Sequence, residues 1–195
     1  SPRSILPLLE LERLGPNLDP DAATRFAARL AGDRRLHPAT RARAEQWALR
    51  LRRARGDLAG VRTGIRELGF LDKFRIVGPF DNEGRSGFER ELGPEVGRMA
   101  PVDPDAVYPG RDRQVGWREF PDISELGYIS FDAVYRPDPN VCAFAETFVV
   151  TRRSEPTVLW LGAGGSARVY WNGESVFADA ALRRPSPDRF AIPLG

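Results

Sequence analysis

The stretch LWLGAGGSARVYWNGESVF, residues 159–177, decides the architecture. Asn172-Gly173 lies between two runs rich in aromatic and β-branched residues. A two-residue type I′ turn needs two residues that accept positive φ, so this spacing predicts a hairpin with arms Arg168–Trp171 and Glu174–Phe177. Gly162–Gly165 superficially matches a dinucleotide-binding loop, but that loop must open a helix aimed at the pyrophosphate, and here a strand follows. A nucleotide site is not expected.

The same texture extends outward from the hairpin. Beyond Leu68-Gly69, short β-rich runs alternate with proline and glycine, at Lys73–Val77, Val115–Phe120, Tyr128–Phe131, Ala143–Thr151, Thr157–Leu161 and Arg189–Ile192. With the hairpin arms this makes about eight strands separated by turn signals, the pattern of a sandwich or jelly roll. Trp160 and Phe148 are expected in its core. The stretch from Phe80 to Gly116, rich in Gly, Pro and Asp, is expected to be a long loop that is functional or pinned to the surface.

From Asp19 to Leu68 the period is helical. Ala23, Phe26, Ala27, Leu30 and Ala31 share one face, Ala44, Trp47, Ala48, Leu51, Ala54 and Leu58 a second, and Leu58, Val61, Ile65 and Leu68 a third. Asp19 before Pro20 reads as an N-cap with proline at N1, Pro38 opens the next helix, and Gly56-Asp57 ends one helix and caps another. A further helix is expected over Ser4–Leu14. Gly60 and Gly64 are expected to let neighbouring helices approach, as in helical hairpins of the solenoid type.

The 195 residues carry a formal net charge of +2, unevenly spread. Residues 1–72 hold 14 basic and 9 acidic groups and residues 73–195 hold 15 and 18. Only Lys73 among the 29 basic residues is a lysine, a bias of the kind that high-GC coding produces, so arginine richness is weak evidence for nucleic acid. The cluster Arg41, Arg43, Arg50, Arg52, Arg53 and Arg55 is expected on the solvated side of its helix, and no nucleic-acid partner is expected. No apolar run is long enough to span a bilayer. The single cysteine, Cys142, forms no internal disulfide and reads as a small hydrophobe.

Val169-Tyr170-Trp171-Asn172-Gly173, with the upstream Phe74-Arg75-Ile76-Val77-Gly78-Pro79-Phe80-Asp81-Asn82, Gly87-Phe88-Glu89 and Pro94-Glu95, resembles the galactose-binding-like jelly rolls of bacterial multidomain proteins. The resemblance covers about residues 73–195. Similar segments follow tetratricopeptide-like helices and precede transglutaminase-like or other domains in large exported bacterial proteins. The resemblance implies an α+β fold in two parts: residues 1–70 a helical-hairpin, tetratricopeptide- or solenoid-like segment, and residues 71–195 an antiparallel β-sandwich lacking its last strand. It implies a non-catalytic binding or scaffolding module that mediates protein–protein contacts in the bacterial periplasm, outer membrane or extracellular space, with a cytoplasmic place left open. The alternatives are a carbohydrate-binding module, and an accessory region of a hydrolase or transglutaminase-like enzyme whose catalytic domain lies beyond residue 195.

A sugar site combines aromatic faces with amides and carboxylates. The candidates are Trp117, Tyr128, Tyr135 and Trp171, with Asp81, Asn82, Glu83 and Asn172 as polar partners. Asp81-Asn82-Glu83-Gly84 offers hard oxygen ligands for a structural calcium, but two or three local ligands fall short of the usual six to eight or so, and no cofactor or metal is expected. His37, the only histidine, lies in the helical part, so the β part has no histidine base for a nucleophile. Glu119, Asp122, Glu125, Asp132 and Glu146 remain as carboxylates that could pair across a sheet. No catalytic residue is assigned.

Overall fold

The computed structural model describes residues 5–14, 17–96, 103–121, 128–137, 139–154, 156–184 and 189–195. The chain divides into two compact units, Ser1–Lys73 with Pro121–Ser130, and Phe74–Phe120 with Phe131–Gly195. The first is helical, and the second is built around antiparallel strand pairs.

The helical unit holds α1 (Ile5–Leu14), α2 (Pro20–Gly32), α3 (Pro38–Ala54) and α4 (Leu58–Glu67). Asp19 caps α2, its carboxylate accepting from the amides of Asp21 at 3.2 Å and Ala22 at 3.1 Å, with Pro20 at N1 where no N–H is needed. Asp57 caps α4 through the Gly60 amide at 3.0 Å. Helix α3 is the shared wall of two apolar clusters. Its Ala44, Trp47 and Ala48 pack with Leu8, Ala23 and Ala27, while its Leu49 packs with Val61 and Ile65 of α4. Phe26 meets Trp47 edge to face at 6.5 Å between centroids.

The two glycines of α4 differ in role. A Cβ on Gly64 would stand 2.4 Å from Leu49 Cδ2, so this glycine sets the α3–α4 approach. Gly60 faces the Asp57 carboxylate instead and serves the cap. Arg43 departs from the solvated face expected of its cluster. Arg43 and Arg50 both ion-pair with Glu12 of α1, and the Arg43 side chain is largely buried.

In the second unit, β1 (Arg75–Asp81) lies between β4 (Arg118–Glu119) and β5 (Val141–Glu146). Gly78-Pro79 falls mid-strand, and the β1–β5 register shifts between Val77 and Phe80, as it must where proline has no N–H to donate. Three strand pairs complete the unit: β2 (Val107–Pro109) with β3 (Gln114–Gly116), β6 (Thr157–Leu161) with β9 (Phe190–Leu194), and β7 (Ala167–Trp171) with β8 (Glu174–Asp179). Every pairing among the described residues is antiparallel. At the β7–β8 turn Asn172 has φ 49° and Gly173 φ 85°, as the sequence requires of a type I′ hairpin. Val77, Phe80 and Val115 form a core with Trp117 and Phe144, and Phe80 sits edge-on to Phe144 at 5.4 Å.

Several sequence expectations are corrected. Residues 128–130 are not strand, and Phe131–Val134 forms a short helix, α5. β5 ends at Glu146 and not Thr151, so Phe148 lies beyond the sheet and is 72% exposed. Trp160 is 48% exposed because Leu159 and Leu161 take the inward positions of β6, and the two-residue period turns Trp160 outward. The stretch 80–116 contains two 3₁₀ turns, Glu83–Phe88 and Gly93–Glu95, and the β2–β3 hairpin.

Replacing Gly64 with alanine should lower stability by about 1–3 kcal/mol, because the new methyl overlaps Leu49 in a packed helix crossing. Urea unfolding checks this, with Gly32→Ala, which meets nothing within 4 Å, as the control.

Candidate functional site

The second unit contains a cleft of about 350 Å³ at the end of β1. Its lining includes Asn82, Arg85, Phe88 and Glu89 from the segment after β1, Ser166 before β7, and Leu182 after β8. The sequence builds the first wall locally. The Asn82 side chain accepts from the Gly87 amide at 2.8 Å, and its backbone carbonyl accepts from the Arg85 amide at 2.9 Å. This turn holds Arg85 at φ 62°, a conformation uncommon for a residue with a Cβ. A Cβ on Gly87 would meet Cys142 Sγ at 2.7 Å and Asn82 Oδ1 at 2.8 Å, so the turn lies tight against β5.

The opposite wall is fixed by Asp179. Its carboxylate accepts from the Ala181 amide at 3.1 Å and from Arg183 Nε at 2.8 Å, while the Gly165 amide donates to the Arg183 carbonyl at 2.8 Å. The Arg183 hydrogen bond, followed by that of the Ala181 amide, holds the Asp179 carboxyl below the usual carboxylate range.

Beside the cleft lies a buried polar network that sequence reasoning did not find. Glu95, 7% exposed, accepts from Tyr170 Oη at 2.6 Å and Arg168 Nη1 at 3.2 Å on one carboxylate oxygen. Its other oxygen accepts from the Leu92 amide at 3.0 Å. Arg168 Nη2 donates to the Phe88 carbonyl at 2.8 Å, and its guanidinium carbon lies 4.7 Å from the centre of the Phe88 ring. Burial, followed by the Glu95 hydrogen bond, pushes the Tyr170 phenol up. The network makes Phe88 a fixed cleft wall. The sequence held one signal for it: Glu95 follows Gly93-Pro94 at the start of a turn, where an acidic side chain can reach back to an amide.

The predicted residues do not converge on one place. Asn82 lines the cleft. Asp81 accepts from the Glu83 amide at 3.2 Å and faces Arg90 at 3.6 Å, and Glu83 faces Arg111 at 3.7 Å, so both carboxylates have local cationic neighbours. Trp171 is half-buried and donates from Nε1 to the Gly195 carbonyl at 3.1 Å, and Asn172 is exposed at the hairpin tip. Trp117 is half-buried, with Arg75 5.8 Å from its ring centre, and its buried Nε1 has no hydrogen-bond partner among the described residues. Tyr128, 56% exposed, belongs to the segment that clusters with the helical unit.

Tyr135 is 2% exposed, so its ring is a core element and no open stacking face. Burial pushes its phenol up to about 12, with the Arg118 charge pulling the other way. Among the carboxylates considered for pairing, Glu119 and Glu146 flank Arg75 on neighbouring strands, and Glu146 is ion-paired with it. Asp122 and Glu125 lie outside the described residues. No cluster of three or more His, Cys, Asp or Glu with metal-binding geometry occurs among the described residues. Cys142 is half-buried, and burial, followed by the negative charge of Glu95, raises its thiol pKa.

Comparison with protein-family models, curated proteins and solved structures found no match to this chain.

Replacing Glu95 with alanine should cost about 3 kcal/mol, because Arg168 and Tyr170 lose their buried acceptor, and urea denaturation reads the loss. In an ultraviolet titration, Tyr135 should ionise near 12. Its folded pKa exceeds the unfolded value of about 10, so its contribution to stability is complete below 10 and is lost as pH rises through 12.

Proposed function

We propose that this chain is a non-catalytic binding module, with tetratricopeptide-like helical hairpins preceding a galactose-binding-like jelly roll in an exported bacterial protein. The cleft beside Phe88 is its ligand site, and a carbohydrate is the ligand class. The observation that carries this reading is the fixed Phe88 wall facing a cleft whose polar groups are an amide, a hydroxyl, a carboxylate and a guanidinium. Sugars offer apolar C–H faces to an aromatic ring and hydroxyls to such polar groups. Asn82, Glu89 and Ser166 supply both acceptors and donors, and Arg85 adds a cation. Rigid walls lower the ordering cost of binding, and the hydrogen bonds at Asn82, Glu95 and Asp179 hold these walls in place.

A second reading, docking of a protein partner, draws on the apolar outward face of β6. Val158 and Trp160 are both exposed, opposite Pro193 and Ala191 of β9, whose side chains are also exposed. Exposed apolar groups in one patch mark contact surfaces more often than isolated ones do.

A glycan array followed by calorimetry on the intact chain separates the two. Saturable binding of a glycan that Phe88→Ala weakens about tenfold, and that Trp160→Ser leaves unchanged, supports the cleft. Glycan binding insensitive to Phe88→Ala, or none at millimolar concentration, overturns it. In that event, crosslinking to a defined protein from a photoreactive residue at position 160, and not at position 159, supports the docking reading.

A further inference from the structure

The helical unit carries a second concavity, of about 480 Å³, between α1 and α3. Leu9 and Arg13 of α1 line one side, and Trp47, Arg50 and Leu51 of α3 the other. Glu12 and Arg43 complete the lining. The side chains divide by chemistry into an apolar strip and a cationic end.

At that end two guanidiniums, those of Arg43 and Arg50, hold the Glu12 carboxylate. Arg43 grips Glu12 with two hydrogen bonds of 2.8 Å, from Nε and Nη2, and spends Nη1 on Gln46 at 2.9 Å. Arg50 approaches the same carboxylate with Nη2 alone, at 2.7 Å. A guanidinium has five N–H donors, so among the described residues this bond leaves most of the Arg50 fork uncommitted. Arg13 stands exposed on the rim, paired at 3.1 Å with an equally exposed Glu10, a bond that solvent screens and that another anion can replace. Arg13, Arg43 and Arg50 against the carboxylates of Glu10 and Glu12 leave this end with one positive charge in excess. Glu12 already shows which group this geometry accepts.

We infer that this groove binds a carboxylate attached to an apolar body, the carboxylate on Arg50 and Arg13 and the apolar part along Leu9, Trp47 and Leu51. Arg50 supplies directional hydrogen bonds to a planar anion, and the apolar strip contributes burial of the rest. A neutral analogue of equal shape keeps the burial and loses the charge-assisted bonds. The ligand is either a free aryl or acyl acid or an acidic residue beside an apolar one in a peptide.

Calorimetry on the intact chain with phenylacetate, phenylacetamide and N-acetyl-phenylalanyl-aspartic acid tests this. The acid should bind at least about tenfold more tightly than its amide, Arg50→Gln should weaken the acid by about tenfold, and Leu9→Ser on the open rim should weaken acid and amide alike. Urea unfolding of each variant verifies that it is folded, and because Leu9 makes no ion pair its effect is readable even if Arg50→Gln unfolds. Preference for phenylacetate assigns a free acid, and tighter binding of the dipeptide assigns a peptide source. Equal affinity for acid and amide, no effect of Arg50→Gln in a folded variant, or no binding at millimolar concentration overturns the inference.

Discussion

Glu95 is a carboxylate taken almost wholly out of water, and the second unit is arranged so that it is never without partners. Burying an ionised carboxyl is costly unless hydrogen bonds and an opposite charge replace its hydration. Here a phenol, a guanidinium and a backbone amide do so. Two of the three come from β7, more than 70 residues further along the chain, so the same contacts that satisfy the charge fasten the turn segment 83–95 to the β7–β8 hairpin. Arg168 then reaches the Phe88 carbonyl and ring, which sets one wall of the cleft. The position of the cleft follows from satisfying one buried charge.

What was legible in the sequence was local. Asp19-Pro20 and Asp57 mark helix starts because a cap acts over three residues, and Asn172-Gly173 marks a hairpin because its two φ angles are intrinsic to the pair. Trp160, expected in the core, is exposed, because a lone Leu-Trp-Leu run does not say which side of the strand is covered. Phe131 was read as strand from its β propensity, yet it opens a helical turn, where the 5.9 Å contact of its ring with Tyr135 is made four residues on. Of the proposed ligand residues, Asn82 lines the cleft because it directly follows β1 and folds the next turn. Tyr135 does not, since nothing in its neighbours distinguishes a buried aromatic from a displayed one.

The arginines divide in the same way. By sequence, the cluster from Arg41 to Arg55 is expected on the solvated side of its helix, but the structure separates its members by partner. Arg43 binds both Glu12 and Gln46, Arg50 binds Glu12 through one nitrogen, and Arg55, just past the end of α3, pairs with Asp21 of α2. Composition gives the number of charges, whereas their chemistry depends on how many donors each has left over. That count depends on Glu12, carried by a helix that ends more than 20 residues before α3 begins.

Helix α3 belongs to both apolar clusters of its unit, with Ala44, Trp47 and Ala48 on one side and Leu49 on the other. Either α1 or α4 can detach while α3 stays covered on its remaining side, so loss of one end need not unravel the rest. The amide protons in the middle of α3 therefore exchange with solvent only when the unit opens as a whole, and those of α1 and α4 through smaller, separate openings. Slow exchange concentrates on one helix that is neither first nor last in the chain, and the unit loosens from both ends toward its centre.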